Sequence, residues 1–362
     1  MLMAEETVPR KASCSNDPLL QCADLILPWL TPPELATVSI TSTSLRKASA
    51  SITTRRSSDA SRTFENLPVP FHNTVDHYHP YAYFLYTPSL ILPSAASRLL
   101  RQPWGSAAPL ASAPSRIPAE SVSLVDELGQ SVLSGCDCEA CGGVGSDCPC
   151  LGLGGLDDVG SECGPGCGCG PECGNRLTQN GVAVRVKIVR DARKGWCLHS
   201  DQWIRKEEFL FEYAVYPIHH TNVKLIHGFL LGKGELLTTK EARRRHQCYD
   251  EKSSHGRFSS ALLVVREHLP SGNVCLRLNI DATRIGNVAR FVNHSCDGGN
   301  LSTKLIRSSG ALFPRLCFFA SKDIQKDEEL TFSYGEIRKK ANGLPCFCSS
   351  PSCLGTLPSE DT

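Results

Sequence analysis

No apolar run in this chain approaches the roughly 18–20 residues needed to cross a bilayer, which excludes a spanning helix. Excess charge of one sign is missing too. The 38 Lys+Arg against 37 Asp+Glu leave a formal net charge of +1, so no global field draws the protein to nucleic acid or to an anionic membrane. The start, MLMAEETVPRK, has no basic segment feeding an apolar stretch, and the later LLQCADLILPWL is short and carries Asp24. The reading is therefore a soluble protein with no secretory signal, held in a reducing compartment. An even cysteine count is also absent: 19 thiols cannot all pair internally. What remains is ordinary. At 362 residues and 41% hydrophobic content, the chain can bury a sizeable core and should hold two or more domains.

Nine of the cysteines crowd into the 38 residues from Cys136 to Cys173. The first group is Cys136, Cys138, Cys141, Cys148 and Cys150; after a Gly-rich gap come Cys163, Cys167, Cys169 and Cys173. Sulfur ligands this dense favour zinc in tetrahedral S4 surroundings. Nine is awkward for independent four-cysteine sites, but it suits three metals sharing ligands. Six terminal and three bridging thiolates supply twelve bonds, four to each ion. Glycines and prolines, as in GPGCGCGPECG, let the backbone close around a cluster while offering little apolar core. The rival readings are a disulfide framework, an iron–sulfur site or a metallothionein-like sponge. The first needs an oxidising compartment, which the sequence does not announce.

Along the chain, Leu19, Cys22, Leu25, Ile26, Trp29 and Leu30 fall near helical spacing, and Pro32-Pro33 break and restart the pattern. Leu35, Val38 and Leu45 would share a face of a second helix. Residues 22–48 loosely resemble an F-box, the helical motif that recruits ubiquitin-ligase scaffolds, although a plain helical pair packed on the main body is the preferred reading. Residues 51–63, rich in Ser, Thr and Arg, read as a linker. From Phe64 to Leu92 the chain is aromatic and Pro-punctuated, which predicts a packed extended arm rather than a metal site at His72, His77 and His79. Residues 93–120 read as a flexible loop, and Ser121–Leu133 as a short helix. After Cys173 the texture is short strands: VAVRVKIVR, EEFLFEYAVY, ALLVVREHL, NVCLRLNI and ALFPRLCFFA. One helix stands out at 238–250, opened by Thr238 and Glu241 at capping-box spacing.

The segment GNVARFVNHSC (286–296) carries the sharpest motif outside the cysteines. With NRLTQNG (175–181), KGWCLHS (194–200), EEFLFEY (207–213), NIDA (279–282), ELTFSYG (329–335) and the tail CFCSSPSC (346–353), it follows the order of a SET domain. Together with the nine-cysteine block, this resembles the suppressor-of-variegation class of SET-domain histone lysine methyltransferases, and within it the smaller plant relatives, over roughly residues 64–355. The resemblance implies a mainly β fold: a SET domain (β-clip, with a knotted C-terminal segment), a Cys-rich pre-SET zinc-cluster module, a post-SET zinc tail and a small N-terminal helical segment. The expected boundaries are 1–63 for the helical segment and linker, 64–134 for the arm and loop, 135–180 for pre-SET, 181–337 for SET and 338–362 for post-SET.

The same resemblance implies S-adenosyl-L-methionine as cofactor, the histone H3 tail as substrate with lysine 9 as target, and a chromatin-silencing role in the nucleus. Methyl transfer to a lysine amine needs amine, methyl and sulfur in line, and a neutral amine despite a free pKa of about 10.4. A dry aromatic channel disfavours the ammonium form. Tyr334 and Tyr213 carry over as the channel tyrosines. Lys194, Gly195, Trp196, Arg290, Asn293 and His294 carry over to the cofactor pocket, and Phe332 to the position that tunes methylation state. Cys296 with Cys346, Cys348 and Cys353 would hold a fourth zinc. That leaves Cys14, Cys22, Cys197, Cys248, Cys275 and Cys317 as unliganded thiols.

The chain departs from the pattern in four places. Cys197 stands where Gly follows KGW, Ala214-Val215 replace a Gly-Glu pair, Ser333 replaces Asp, and the Asn after NHSC comes late, as Asn300. The alternative reading is a catalytically weak SET scaffold or ubiquitin-ligase adaptor using the N-terminal helices. Direct sequence-specific DNA binding is not expected, because the cysteine block carries Asp137, Glu139, Asp147, Asp157, Asp158 and Glu162 and no recognition helix.

Overall fold

In a computed structural model of the protein, the described residues are 18–88, 91–92, 104–105, 117–118, 135–139, 141, 148–151, 159–214, 239–254, 261–268, 275–311, 313–335 and 344–358. The expected helix at Ser121–Leu133, Thr238 of the expected cap, Cys14 and Val215 lie outside them.

The described residues up to Arg55, with 104–105, form one compact unit. Its turns α1 (Pro18–Gln21) and α2 (Ala23–Ile26) lead into α3 (Pro32–Ser39) and α4 (Thr43–Ser58). Two prolines open α3, where a missing N–H costs nothing, and the Glu34 carboxylate reaches back to the Thr31 N–H at 2.8 Å. Ala23, Leu27, Leu35, Leu45 and Ile52 pack as its core. The linker reading of 51–63 fails through Ser58, because those residues finish α4. Hydroxyl-rich composition misleads here. Thr53 and Thr54 return their O–H groups to the carbonyls of Ser49 and Ala50 at 3.0 and 3.1 Å, so they remain satisfied inside a helix.

The second unit runs from Arg56 onward and is mostly strand. Asp59 closes its first turn, accepting from the N–H groups of Ser61, Thr63 and Val69. The arm follows. β1 (Phe71–His72) pairs in parallel with β6 (Val186–Asp191), which forms an antiparallel hairpin with β7 (Gly195–Ser200). β2 (Leu85–Tyr86) pairs in parallel with β11 (Ile285–Gly286). β3 (Ile91–Leu92) pairs with β4 (Ile117–Pro118). A four-stranded sheet has the order β5 (Val159–Glu162), β13 (Leu301–Ser308), β14 (Arg315–Ala320), β8 (Phe209–Glu212). β9 (Leu262–His268) and β10 (Cys275–Asp281) make a hairpin, and α5 (Thr239–Ser254) is joined to it where Arg245 and Tyr249 meet Asp281 at 2.8 and 2.7 Å. β12 (Asn293–His294) pairs in parallel with β15 (Thr331–Phe332).

Two junctions hold this unit together. The Phe71 ring meets Trp196 at 5.2 Å and Phe291 at 6.1 Å, and Phe84 meets Phe291 at 5.4 Å, so the arm's aromatics fill the seam between β7 and the 288–292 turn. At the other end, Arg315 of β14 is buried and donates to Glu162 of β5 at 2.7 Å and to the Thr178 carbonyl at 2.8 Å. Glu162 also accepts from the Thr178 N–H and from Gln179. The two Arg315 bonds cross from the β-domain to the cysteine-rich segment, and the two further Glu162 bonds hold that segment's end in place to receive them. Removing Glu162 takes the directly bonded carboxylate from a buried guanidinium. Glu162→Ala is expected to cost about 3–5 kcal/mol in urea denaturation with zinc in excess, whereas Arg315→Met, which leaves no cation behind, should cost less.

Candidate catalytic channel and metal centres

Tyr334 lies two residues beyond β15, and its hydroxyl donates to the Val292 carbonyl at 2.9 Å, leaving the oxygen lone pairs for another partner. The Phe332 ring is 5.0 Å from Tyr334 and 4.9 Å from Phe318, and Tyr213 is 6.1 Å from Phe318. The four rings come from the residue after β8, from β14 and from the 331–334 segment, and Tyr213, Phe318 and Phe332 are buried. Burial pushes both tyrosine hydroxyls well above the usual phenol range, so each is a neutral donor near neutral pH. The tertiary structure thus joins three predicted residues, Tyr334, Tyr213 and Phe332, into one aromatic wall.

The predicted cofactor residues gather on the flank of that wall. Asp191 accepts from the N–H groups of Arg193 and Lys194 at 2.7 and 2.8 Å, turning the chain into Gly195, whose φ of +87° is left-handed. Nothing stands within 4 Å of a Cβ placed on Gly195, so the turn is open above its backbone. Lys194 does not present a free charge. Its ammonium sits 2.5 Å from Glu329, whose other oxygen accepts from Asn293 at 3.0 Å. Burial pulls the Lys194 pKa down, but the Glu329 contact outweighs it and the pKa rises. Trp196 is half-buried, its indole edge-on to Phe71 with the Arg190 guanidinium 5.2 Å over its ring. Arg290 donates to the carbonyls of Ala282 and Thr283 at 2.8 and 2.7 Å and lies over Phe84 and Phe291, which fixes the start of the NHSC loop. Burial lowers its pKa to about 10.

His294 is buried and contacts both neighbours of the channel. Its Nδ1 accepts from the Tyr334 N–H at 3.2 Å, which assigns the proton to Nε2, 3.3 Å from the Cys296 sulfur. Burial lowers its pKa and keeps the ring neutral for that role. Cys197, which takes the family's Gly position, is buried on β7; burial and the nearby Glu329 carboxylate push its thiol up to about 12.

The cysteines converge as their spacing requires. Sulfurs of Cys136, Cys141, Cys163 and Cys169 form one group within 4.8 Å, Cys136, Cys150, Cys163 and Cys167 a second, and Cys136, Cys138, Cys141 and Cys148 a third. Cys296, Cys346, Cys348 and Cys353 form another. Sulfur pairs stand 3.7 Å apart at Cys136–Cys141 and Cys150–Cys167, 3.9 Å at Cys136–Cys163 and 3.8 Å at Cys296–Cys346. Zn–S bonds of about 2.3 Å in a tetrahedron give an edge of about 3.8 Å, so the donor sets fit zinc. Cys173 joins none of the four-sulfur groups but packs in the same buried thiol cluster. Among the described residues, His72, His77 and His79 join no such group.

Three residues that the sequence reading did not single out complete the picture. Asn175 reaches Cys173 through its N–H and Cys163 through its side chain, both at 3.4 Å, while Arg176 reaches Cys169 at 3.6 Å; outer contacts of this kind steady metal-bound thiolates. Asn287 is buried and spends its whole side chain on a clamp. It accepts from the N–H groups of Ala214 and Ala289 at 3.2 Å and donates to the Glu212 carbonyl at 2.6 Å, tying the end of β8, and Tyr213 with it, to the turn before Asn293. Asn175 and Asn287 stand beside motif residues, in GNRLTQ and GNVARF, but nothing local says that Asn175 serves two thiols or that Asn287 reaches Ala214 and Glu212, more than 70 residues away.

The family model of the SET domain matches residues 195–335. Over the whole length of both chains, the protein is 51% identical to histone-lysine N-methyltransferase SUVR3 of Arabidopsis thaliana. Among solved structures, the methyltransferase domain of human histone-lysine N-methyltransferase SETMAR matches with a TM-score of 0.56 and 25% identity, over 83% of this chain and 97% of that one. KRYPTONITE in complex with mCHH DNA, H3(1-15) peptide and SAH matches with a TM-score of 0.55 and 24% identity, over 83% of this chain and 53% of that one, a likeness of fold.

Proposed function

The chain belongs to the SET-domain family of histone-lysine N-methyltransferases, and from that membership we propose that it methylates histone H3 at lysine 9, in the nucleus and in the service of chromatin silencing. The observation that carries the reading is the wall of Tyr213, Phe318, Phe332 and Tyr334 beside the open turn at Gly195. S-adenosylmethionine, when bound, supplies an electrophilic methyl group on a sulfonium. The 194–196 turn and the Asn293–His294 segment would hold that cofactor, with Lys194, Glu329 and Asn293 keeping the two in register. The aromatic wall excludes water from a lysine amine and so favours its neutral form. The Tyr334 oxygen, its proton engaged on Val292, accepts from the amine N–H and aims the nitrogen lone pair. Aim of this kind lowers the barrier by fixing orientation before reaction.

Zinc supports the frame rather than the chemistry. Cys136 recurs in all three four-sulfur groups of the nine-cysteine block, and Cys141 and Cys163 each recur in two, which supports reading these three as the bridges. Cys138 with Cys148, Cys150 with Cys167, and Cys169 with Cys173 then serve as terminal pairs. A fourth ion belongs to Cys296 and the tail, where the His294 Nε2–H meets the Cys296 sulfur and links the tail to the Tyr334 backbone. A second reading, a scaffold or ubiquitin-ligase adaptor, draws on the exposed Leu25, Trp29 and Ile40 of the helical unit. Turnover on histone substrate separates the two.

The test is methylation of an H3 peptide array read by mass spectrometry. Product on the lysine 9 peptide, lost when that lysine is replaced, is the expected outcome; product confined to another lysine rejects the site, and no product on any histone favours the scaffold. Tyr334→Phe removes one hydroxyl and should lower turnover about 10²-fold or more with cofactor affinity little changed. Phe332→Tyr adds a hydroxyl that can hold water where a second methyl group would sit. It should stop the reaction at monomethyl-lysine, whereas equal loss of every state together with a lower Tm would mean that Phe332 is packing alone. Metal analysis should return four zinc ions per chain. One or two at full occupancy would reject the shared cluster, and chelation should unfold residues 135–180 first.

A further inference from the structure

Cys197, His199 and Glu329 bring a thiol sulfur, an imidazole nitrogen and a carboxylate oxygen within 4.8 Å of one another, in a group that shares no residue with the four-cysteine groups. The arrangement follows from strand geometry. Cys197 and His199 are alternate residues of β7 and so point to one face, and an antiparallel bridge sets Glu329 directly opposite His199. The thiol is buried while the imidazole and carboxylate are half-buried, so the trio can be reached from solvent on one side. The His199 Nδ1 donates to the Asp327 carbonyl at 2.9 Å, a contact that orients the ring. One sulfur, one nitrogen and one oxygen make a donor set for a borderline divalent cation, and three protein ligands leave a fourth position open, unlike a closed four-cysteine site.

We propose that Cys197, His199 and Glu329 form a separate, exchangeable site for a zinc-class divalent cation that opposes cofactor binding. The opposition comes from Glu329. Its carboxylate already holds the Lys194 ammonium at 2.5 Å and Asn293 at 3.0 Å, the two residues that flank the open Gly195 turn. A metal takes the oxygen that Lys194 uses, the Cys197 proton leaves to solvent, and the lysine is turned away by a neighbouring dication. The 194–196 turn then loses its tie to the Asn293 segment. The site depends on Cys197, the residue that this chain carries where its family pattern has Gly, so a sequence with Gly there lacks the sulfur ligand. The antagonism rests on reading the Gly195 turn as the cofactor's, whereas the metal site does not.

The probe is Co2+ added to the full-length protein after its cysteine modules are saturated with zinc. Thiolate-to-cobalt charge-transfer absorption and the Kd for S-adenosylmethionine are followed together. One further equivalent of Co2+ should produce the band and raise the Kd about tenfold. Both changes should be absent in His199→Ala and in Cys197→Gly, two variants whose circular dichroism and zinc content check folding independently. No band, or a band that persists in both variants because Co2+ has exchanged into the cysteine modules, overturns the site. A band abolished by both variants but without any change in Kd upholds the metal site and overturns the antagonism, while failure of the zinc-loaded protein to bind S-adenosylmethionine at all, before Co2+ is added, is what would overturn the cofactor reading.

Discussion

Residues 328–334 carry Glu329, Phe332 and Tyr334, and backbone hydrogen bonds grip the segment from both sides. On one side the Ser200 N–H donates to the Glu328 carbonyl at 3.0 Å and the Leu330 N–H to Leu198 at 2.8 Å. On the other, Ser295 and Asn300 donate to the carbonyls of Phe332 and Thr331 at 2.9 and 3.1 Å, and the Thr331 N–H returns to the Asn300 side chain at 2.9 Å. A buried backbone must satisfy its polar groups, so a segment held by two neighbours has one register open to it. That register puts Phe332 against Phe318, Tyr334 under the Val292 carbonyl and Glu329 between Lys194 and Asn293. A slip of one residue would exchange the channel face for the opposite one.

The nine-cysteine block solves a different problem by other means. Its sequence is short of apolar side chains, and its buried cluster consists of the thiols themselves. Sulfur groups that fit zinc stand where hydrophobic side chains stand in the β-domain, and metal–sulfur bonding there would supply folding energy that burial supplies elsewhere. The block is not an appendage: β5 extends the sheet beside β13, and the Glu162–Arg315 pair carries that continuity into the interior. The aromatic arm does the same at the opposite end, since Phe71 and Phe84 pack on the turn that leads to Asn293. The flanking parts are thus joined to the β-domain at two places, the β13–β14 sheet and the turn before Asn293.

Departures from the family pattern are absorbed locally. Asn300, displaced by Asp297-Gly298-Gly299, still meets Glu328 and the Glu329 carbonyl at 3.0 and 2.9 Å, because Gly298 and Gly299 take positive φ and let the loop double back. Ala214 is buried and its N–H is taken by Asn287, so the strand end keeps its place without the Gly-Glu pair. Cys197 is the departure that adds chemistry, since it sets a thiol among His199, Glu329 and Lys194.

Cysteine spacing, the NHSC loop, the FSY triplet and the CxCx4C tail carried the family resemblance that implies a mainly β SET architecture with cysteine-rich flanks and nominates Tyr334, Tyr213, Phe332, Asn293 and His294. Those features are local: ligand spacing, turn glycines and period-two alternation are written in consecutive residues. The Ser/Thr/Arg stretch at 51–58 was misread as linker because composition does not reveal hydroxyls satisfied within a helix. Only the tertiary structure decided that Asn287 clamps β8, that Lys194 spends its charge on Glu329 rather than on a ligand, and that Asn175 and Arg176 steady the thiolates. Nor could spacing say that Cys197 and His199 face Glu329 across 130 residues of chain. Such pairings are set by strand register and by the two-sided grip on 328–334, which join residues far apart in sequence and leave no periodicity to read.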